Sequence, residues 1–216
     1  MRGYYLTNKH WALEAIKLRR VKLSLFNEMN DPFELLGMEL RTKKDRDEFH
    51  QLKEEMNQTI GVLCFSRSWN NPVLWSHYGD RHRGLCLGFD LLDDWIFDVS
   101  YEGERLKEEI ESELLERDHE TLGHKLLITK YEHWRYEDEV RMVLNLNDSV
   151  HEKGMYFLPF CNALYLREVI IGARRDLSPK DVRKVISSQD NNVRLTQGRL
   201  AFRSYRIVKN QAVKSG

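Results

Sequence analysis

The segment that decides the fold is Asn71–Asp90, which reads NPVLWSHYGDRHRGLCLGFD. It begins with Asn-Pro, a pair that breaks regular structure and marks a turn. A short part rich in aromatic and polar side chains follows, and the apolar run Leu85–Phe89 then predicts a buried strand. Trp75, His77 and Tyr78 offer flat faces with polar tips, which suit a nucleotide or nucleic-acid pocket. The alternative is an aromatic core segment whose polar tips find partners within the protein.

Hydrophobic periodicity along the rest of the chain predicts an α+β fold, with residues 1–216 forming a single domain around a mixed, strongly bent sheet with flanking helices. Cap signals predict helix starts at Thr7 or Asn8 and at Ser178. Charged amphipathic stretches predict a solvated helix over residues 42–58 and a charged helical insertion near 102–133. The predicted strands are Gly3–Thr7, Val21–Leu25, Gly61–Ser66, Leu85–Phe89, Tyr136–Leu144, Met155–Leu158, Leu164–Gly172, Val193–Leu195 and Tyr205–Val208.

Composition narrows the class of protein. The 216 residues are 41% hydrophobic and 31% charged, which is typical of a soluble globular protein. The formal net charge is zero, so no global basic field attracts nucleic acid or membrane, and no apolar run is long enough to span a bilayer. Cys64, Cys86 and Cys161 lie far apart without a CxxC pair, which disfavours a disulfide or zinc site. We therefore predict a cytoplasmic protein that does not bind membranes.

Three polar clusters are candidates for a site: Tyr4–Thr7, Phe65–Trp69 and Glu137–Glu139. Strand alternation would place Glu137, Glu139 and Arg141 on one face, where two carboxylates repel and burial raises the pKa of one of them. Such a pair suits a general base, a ligand for ribose hydroxyls or a metal site. The alternative is that Arg141 neutralises Glu139 in a structural ion pair. His77 is a candidate proton shuttle or phosphate ligand, or a structural hydrogen-bonding residue.

Carboxylates elsewhere raise the question of a divalent metal. Asp31, Glu34 and Asp90 could in principle join Glu137 and Glu139 as ligands, which would suit a nuclease. No spacing typical of a metal site supports that arrangement, so no metal is expected.

Six motifs occur in order along the chain and carry a resemblance: Asn30–Glu34, Leu63–Ser66, Leu74–Asp80, Gly84–Asp90, Trp134–Arg141 and Val169–Gly172. The chain resembles a widespread prokaryotic domain of unknown function, the DUF2971 family, which is often associated with abortive-infection or phage-defence genes. The resemblance spans nearly the whole chain and implies a fold and a defence context, without a reaction.

The order of the three polar clusters also resembles the triad of ADP-ribosyltransferases, which place a polar residue on the first strand, an aromatic-Ser-x-Ser strand and then Glu-x-Glu. This resemblance implies NAD as the cofactor. Glu139 would bind a ribose hydroxyl and stabilise the oxocarbenium-like state, Glu137 would orient or deprotonate the acceptor, and Ser66 would support the site. Arg2 stands early for the Arg or His that this family carries on its first strand. The candidate cofactor-binding residues are Tyr5, Thr7, Ser68, Trp75, His77 and Tyr78.

Three functions follow as hypotheses. The first is a defence effector that transfers ADP-ribose to nucleic acid or protein. The second is a defence sensor that binds a nucleotide or a phage component without catalysis. The third is a metal-dependent nuclease. A transferase needs Ser66 and Glu139 in one cleft, whereas a nuclease needs several carboxylates within ligand reach of one point.

Overall fold

Strand β4, Leu85–Leu91, lies inside the largest sheet of the computed structural model, between β1 (Arg2–Thr7) and β11 (Leu164–Ile171). Its run LCLGFDL is buried almost throughout, because a central strand with apolar neighbours on both faces has no solvent side. The structure describes residues 1–106, 119–174, 177–186 and 192–211. Within these ranges, no helix has the length and apolar character needed to cross a membrane.

The other elements follow the chain in short alternating pieces. The remaining strands are β1 (Arg2–Thr7), β2 (Arg20–Lys22), β3 (Ile60–Ser66), β5 (Phe97–Asp98), β6 (Ser100–Glu102), β7 (Thr129–Tyr131), β8 (Glu139–Asn145), β9 (Val150–Glu152), β10 (Met155–Pro159), β11 (Leu164–Ile171), β12 (Arg194–Leu200) and β13 (Ile207–Lys209). The helices are α1 (Lys9–Leu18), α2 (Lys43–Thr59), α3 (Pro72–His77), α4 (His119–Ile128) and α5 (Pro179–Val185).

The large sheet is mixed. Its strand order is β13-β12-β11-β4-β1-β3-β8-β5, with β11 and β12 parallel and every other neighbouring pair antiparallel. Two smaller sheets accompany it, β2-β10-β9 and the parallel pair β6-β7. The predicted α+β class, with one mixed sheet and flanking helices, is therefore confirmed.

Helices cover both faces of the large sheet. On one face, residues of α1 and α5 join the apolar cluster that contains Leu63 and Phe65 of β3. On the other face, α2 and α4 pack in the cluster that contains Val62, with Cys64 against it. Successive residues of β3 thus serve opposite clusters, as the two-residue period of a strand requires.

The sheet is nearly interrupted between β1 and β3. Their only register pair within the described residues joins Tyr4 to Ser66. Further along β3, Val62 instead exchanges backbone hydrogen bonds with Ser24, at 2.9 and 3.0 Å. The two strands therefore diverge beyond Tyr4 and Ser66, and a gap opens between them.

Two sequence-based boundaries were wrong. The strand predicted over Tyr136–Leu144 begins only at Glu139, because Glu132–Glu137 forms a 3-10 helix and Asp138 adopts the left-handed conformation with φ of 47°. The helical insertion predicted near 102–133 contains α4 but ends in β7, which pairs in parallel with β6. Residues 107–118 of that segment lie outside the described residues.

Candidate functional site

A cavity of about 500 Å³ occupies the gap between β1 and β3. Its walls come from the end of β1, the loop before α2, the end of β3, α3 and the segment from β7 to β8. The residues that line it are Tyr4, Tyr5, Leu6, Thr7, Asn8, Ser24, Glu28, Met29, Asn30, Glu34, Cys64, Phe65, Ser66, Leu74, His77, Tyr78, Asp80, Lys130, Glu137 and Glu139.

The Lys130 ammonium lies among three carboxylates in the wall of the cavity. Its Nζ is 2.6 Å from Glu137 Oε2, 2.8 Å from Glu139 Oε2 and 3.5 Å from Glu34 Oε1. Burial lowers the pKa of Lys130, but the three carboxylates outweigh that effect and raise it, so the side chain is charged. This one cation holds together carboxylates from two distant parts of the chain, the turn at Glu34 and the segment Glu137–Glu139.

A second cation lies behind the first. Arg141 is fully buried and donates to Glu139 Oε1 at 2.7 Å, to Glu34 Oε1 at 2.8 Å and to the Leu127 carbonyl at 2.7 Å. The ion pair between Arg141 and Glu139, which the sequence offered as an alternative to catalysis, is therefore present. It also holds the Glu139 side chain in one orientation toward the cavity.

Glu137 has a different environment from Glu139. The Tyr78 hydroxyl donates to Glu137 Oε1 at 2.5 Å, and the Asn30 amide donates to that hydroxyl at 3.1 Å. Burial and the charge of Glu137 both raise the pKa of Tyr78, so its phenol is protonated and acts as a donor. Glu137 thus shares its charge between one ammonium and one neutral phenol.

The pKa values of the two carboxylates move in opposite directions. Burial raises the pKa of Glu137 to about 6, because its attraction to Lys130 only partly offsets the loss of water and the repulsion from Glu139. Burial also acts on Glu139, but Arg141 and Lys130 outweigh it and lower the pKa of Glu139 to about 2. A neighbouring pair with divergent pKa values divides into an acid–base group and a permanent anion. Glu137 is the group that can exchange a proton near neutral pH.

Ser66 and Cys64 also line the cavity, but neither takes the place of the two glutamates as the reactive group. Ser66 is buried and its hydroxyl donates to the Ser68 carbonyl at 2.8 Å. Cys64 lies in the same wall, but burial and Glu139 raise the pKa of its thiol well above the usual range. A protonated thiol is a weak nucleophile, so Cys64 does not suit covalent catalysis.

Carboxylates do converge on one point, but a side chain already occupies it. Lys130 Nζ lies where an ion bound by Glu34, Glu137 and Glu139 would have to lie. Of the two other proposed ligands, Asp90 is held by Arg2 and Arg167 at 2.8 and 2.5 Å, and Asp31 accepts from the Phe33 amide at 2.9 Å. The geometry therefore gives no support to the arrangement of ligands that a nuclease would need.

Most of the predicted site residues come together in the cavity. The strands carrying Phe65 and Val140 are neighbours, and the register of β3 with β8 places Ser66 opposite Glu139, as expected. Alternation along one strand does not bring Glu137 beside Glu139, because Glu137 lies in the 3-10 helix; the two meet through Lys130. The predicted residues that line the cavity are Tyr5, Thr7, Ser66, His77, Tyr78, Glu137 and Glu139.

Two predicted cofactor-binding residues do not line the cavity. Trp75 is fully buried in a cluster with Cys86, Ile170 and Ile207, and its indole N–H donates to the Trp69 carbonyl at 2.6 Å. Trp75 is therefore a core residue, and it is not available to a ligand. Ser68 lies just outside the cavity, where its carbonyl accepts from the Ser66 hydroxyl and its backbone N–H donates to the same hydroxyl.

His77 and Arg2 are also placed by the structure. His77 is exposed at the cavity rim and stacks on Tyr136, with ring centroids 6.3 Å apart. Arg2 is held at the opposite end of β1 by Asp90, in register with it, and does not reach the cavity. The first-strand residue in register with Ser66 is Tyr4 instead.

Sequence reasoning missed Lys130 as the centre of the site. Lys130 lies in the run Leu126–Tyr131, in which apolar residues precede Thr129. Such a composition is typical of a short buried strand. A lysine inside such a run is uncommon unless it is paired, and this was the available signal. Glu34 was considered only as a metal ligand.

Comparison with known proteins gives one result. No curated protein matches the chain, and no solved structure matches it either. Residues 74–142 match the model of a family described as a protein of unknown function, DUF2971, and the matched part contains Tyr78, Lys130, Glu137, Glu139 and Arg141.

Proposed function

We propose that the protein cleaves NAD and transfers its ADP-ribosyl group to a nucleic-acid or protein acceptor, as an effector of phage defence. The observation that carries the proposal is the row formed by Tyr4, Ser66 and Glu139. These residues lie side by side on β1, β3 and β8 and share one cavity. The same order of strand positions carries the resemblance to ADP-ribosyltransferases.

The size and lining of the cavity support a nucleotide substrate. A volume of about 500 Å³ lies within the range of roughly 300–1,000 Å³ that is typical of small-molecule sites. Aromatic rings and hydroxyls line it together with a few charged groups, which is also typical of such sites. The described residues of this one cavity supply both a permanent anion and a proton-exchanging carboxylate.

In this proposal the two glutamates have separate roles. The bond between the ribose carbon and the nicotinamide nitrogen breaks, and nicotinamide leaves with the bonding electrons. Glu139 remains ionised and stabilises the positive charge that develops on the ribose. An acceptor oxygen or nitrogen then forms the new bond to the ribose carbon, and Glu137 takes the proton that the acceptor loses.

Incubation of the purified protein with NAD tests the proposal. Release of nicotinamide is followed by chromatography, and NAD binding is measured by calorimetry. Glu139→Gln should lower release by about 10²-fold or more, since the variant keeps the shape but loses the charge. Glu137→Gln should mainly lower transfer to the acceptor and spare hydrolysis of NAD.

The matched control is Asp90→Asn. Asp90 is a carboxylate of β4 that is paired with Arg2 and Arg167 and does not line the cavity. Its substitution should leave release unchanged. A wild-type protein that neither binds nor cleaves NAD would overturn the proposed function.

The second candidate is a sensor that binds a nucleotide without chemistry. It is favoured by the ion pairs that hold Glu34, Glu137 and Glu139, because such a network can serve to shape a cavity. The same measurements separate the two candidates. Binding of NAD with no release of nicotinamide, in the presence and absence of acceptors, supports the sensor.

The role in defence is tested in bacterial cells. Induced wild-type protein should slow growth or reduce phage plaques if it acts as an effector, and Glu139→Gln should abolish the effect at equal protein level. An equal effect of the wild type and the variant would show that the cellular phenotype does not depend on the proposed chemistry.

A further inference from the structure

Glu34 has one carboxylate oxygen that is not used by the protein. Its side chain is 2% exposed, and Oε1 accepts from Arg141 and faces Lys130. Oε2 is buried and has no hydrogen-bond partner within the described residues. Buried carboxylate oxygens are normally satisfied, and leaving one without a donor is costly. Because Glu34 lines the cavity, a bound molecule is the available source of that donor.

The turn before α2 holds Glu34 in this position. Asp31 Oδ1 accepts from the Phe33 amide at 2.9 Å, and the Glu34 amide donates to the Asp31 carbonyl at 3.2 Å. The next residue, Leu35, is buried and has a φ of 66°, in the left-handed region that side chains rarely adopt. A backbone constrained on both sides keeps the carboxylate directed inward.

The charges around Glu34 select the kind of donor. Among the described residues, three carboxylates, those of Glu34, Glu137 and Glu139, face two cations, Lys130 and Arg141. Burial keeps the Cys64 thiol and the Tyr78 phenol protonated, so both are neutral and neither changes this balance of charge. An anionic ligand group would meet an excess of negative charge here, whereas a neutral or cationic N–H donor would be attracted.

We propose that Glu34 Oε2 is the acceptor for an N–H donor of the substrate, and that this donor is the carboxamide of the nicotinamide group. This inference rests on the proposed function, since it assigns one part of NAD to one atom of the cavity. The carboxamide supplies the missing N–H, and the nicotinamide ring of NAD carries a positive charge. Glu34 is then a specificity residue that distinguishes the amide from the corresponding acid.

The test compares two ligands that differ in that group alone: NAD and nicotinic acid adenine dinucleotide, in which a carboxylate replaces the carboxamide. Calorimetry should show that the wild-type protein prefers NAD by about 10²-fold, because the acid form lacks the donor and leaves Oε2 unpaired. Glu34→Gln should reduce that preference to within about tenfold, since glutamine can donate as well as accept. The ratio of the two affinities is the readout, so a partial loss of folded protein does not change it.

Asp90→Asn is again the matched control, because it removes an arginine-paired carboxylate that does not line the cavity. Its affinity ratio should equal that of the wild type. Equal binding of both dinucleotides by the wild type, or an unchanged ratio in Glu34→Gln, would overturn this inference and leave the proposed function standing. Binding of neither dinucleotide would overturn both.

Discussion

Ser66 and Glu139 lie directly opposite each other on the antiparallel strands β3 and β8. Residues paired in this way point to the same face of a sheet, and here that face forms a wall of the cavity. Tyr4 continues the row onto β1. The row ends where the sheet opens, so the groups that could act on a ligand stand at the edge of the space that could hold one.

Replacement of Tyr78 by phenylalanine should raise the pKa of Glu137 further above about 6. The Tyr78 hydroxyl donates to the Glu137 carboxylate, and a hydrogen bond to the charged form favours that form. Titration of labelled glutamate carboxyls by NMR should show an upward shift of about half a unit to one unit, and the acid limb of transfer to the acceptor should move with it. An unchanged midpoint would mean that the phenol does not control this proton.

Replacement of Glu139 by glutamine should change how stability depends on pH. Its pKa is lower in the folded state, about 2, than the usual 4.5, so its stabilisation is present above pH 4.5 and is lost as pH falls toward 2. The shift corresponds to roughly 3 kcal/mol. Urea unfolding should therefore show the largest difference between wild type and variant near pH 7 and a shrinking difference toward pH 2. Asp90→Asn, which removes an exposed ion pair, should cost about 1 kcal/mol or less.

The contribution of Glu137 to stability should depend on pH in the opposite direction. Its pKa is raised from 4.5 to about 6, so its contribution to stability is fully present below pH 4.5 and is lost as pH rises through 6. Glu137→Gln should consequently gain stability relative to the wild type between these two values, by roughly 2 kcal/mol. Urea unfolding at pH 4.5 and pH 7 provides the comparison, and a constant difference would contradict the raised pKa.

Replacement of Lys130 by methionine should destabilise the fold by about 3–5 kcal/mol at neutral pH. The variant keeps the apolar stem but leaves Glu137 without its cation and leaves Glu34 and Glu139 to Arg141. Denaturant unfolding measures the loss, and part of it should be recovered at pH 5 as Glu137 takes up a proton. Lys22→Met removes a partly exposed lysine paired with Glu28 and should cost little. Equal losses would show that burial of the network is not the cause.

Replacement of Gly84 by alanine should disturb the wall of the cavity at the end of β1. A Cβ at this position would lie 2.1 Å from the Thr7 carbonyl oxygen, so the backbone at the end of β1 would have to move. We expect a loss of about 2 kcal/mol or more and weaker ligand binding, because Thr7 lines the cavity. Gly123→Ala adds a Cβ with no atom within 4 Å in helix α4 and should instead stabilise by roughly 0.5–1 kcal/mol. Thermal unfolding compares the two.

The elements predicted correctly from sequence are those whose pattern is local. The apolar runs of β3 and β4 identify buried strands without knowledge of their neighbours. Glu139 and Ser66 were found because each directly adjoins such a run. Trp75 was assigned to a ligand because aromatic tips look alike in a pocket and in a core, and only the orientation of the short helix α3 distinguishes the two.

The centre of the site could not be predicted because it depends on contacts distant in sequence. Lys130 reaches the carboxylates through β7, whose position depends on its pairing with β6. Glu137 turns toward Lys130 because Asp138 adopts a left-handed conformation, and neither residue type demands this. Glu34 enters from the loop before α2. Charge pairs of this kind carry no periodicity that a sequence pattern could reveal.

Because of the gap beside Tyr4 and Ser66, the large sheet consists of two sets of strands that a single residue pair joins within the described residues. A molecule bound in the gap would take the place of the missing contacts between β1 and β3 and would make their connection more rigid. Its binding would raise the free energy of unfolding by about 2.7 kcal/mol at a hundred times its dissociation constant. Slower amide hydrogen exchange in β1 and β3 would therefore reveal an occupant before its chemistry is known.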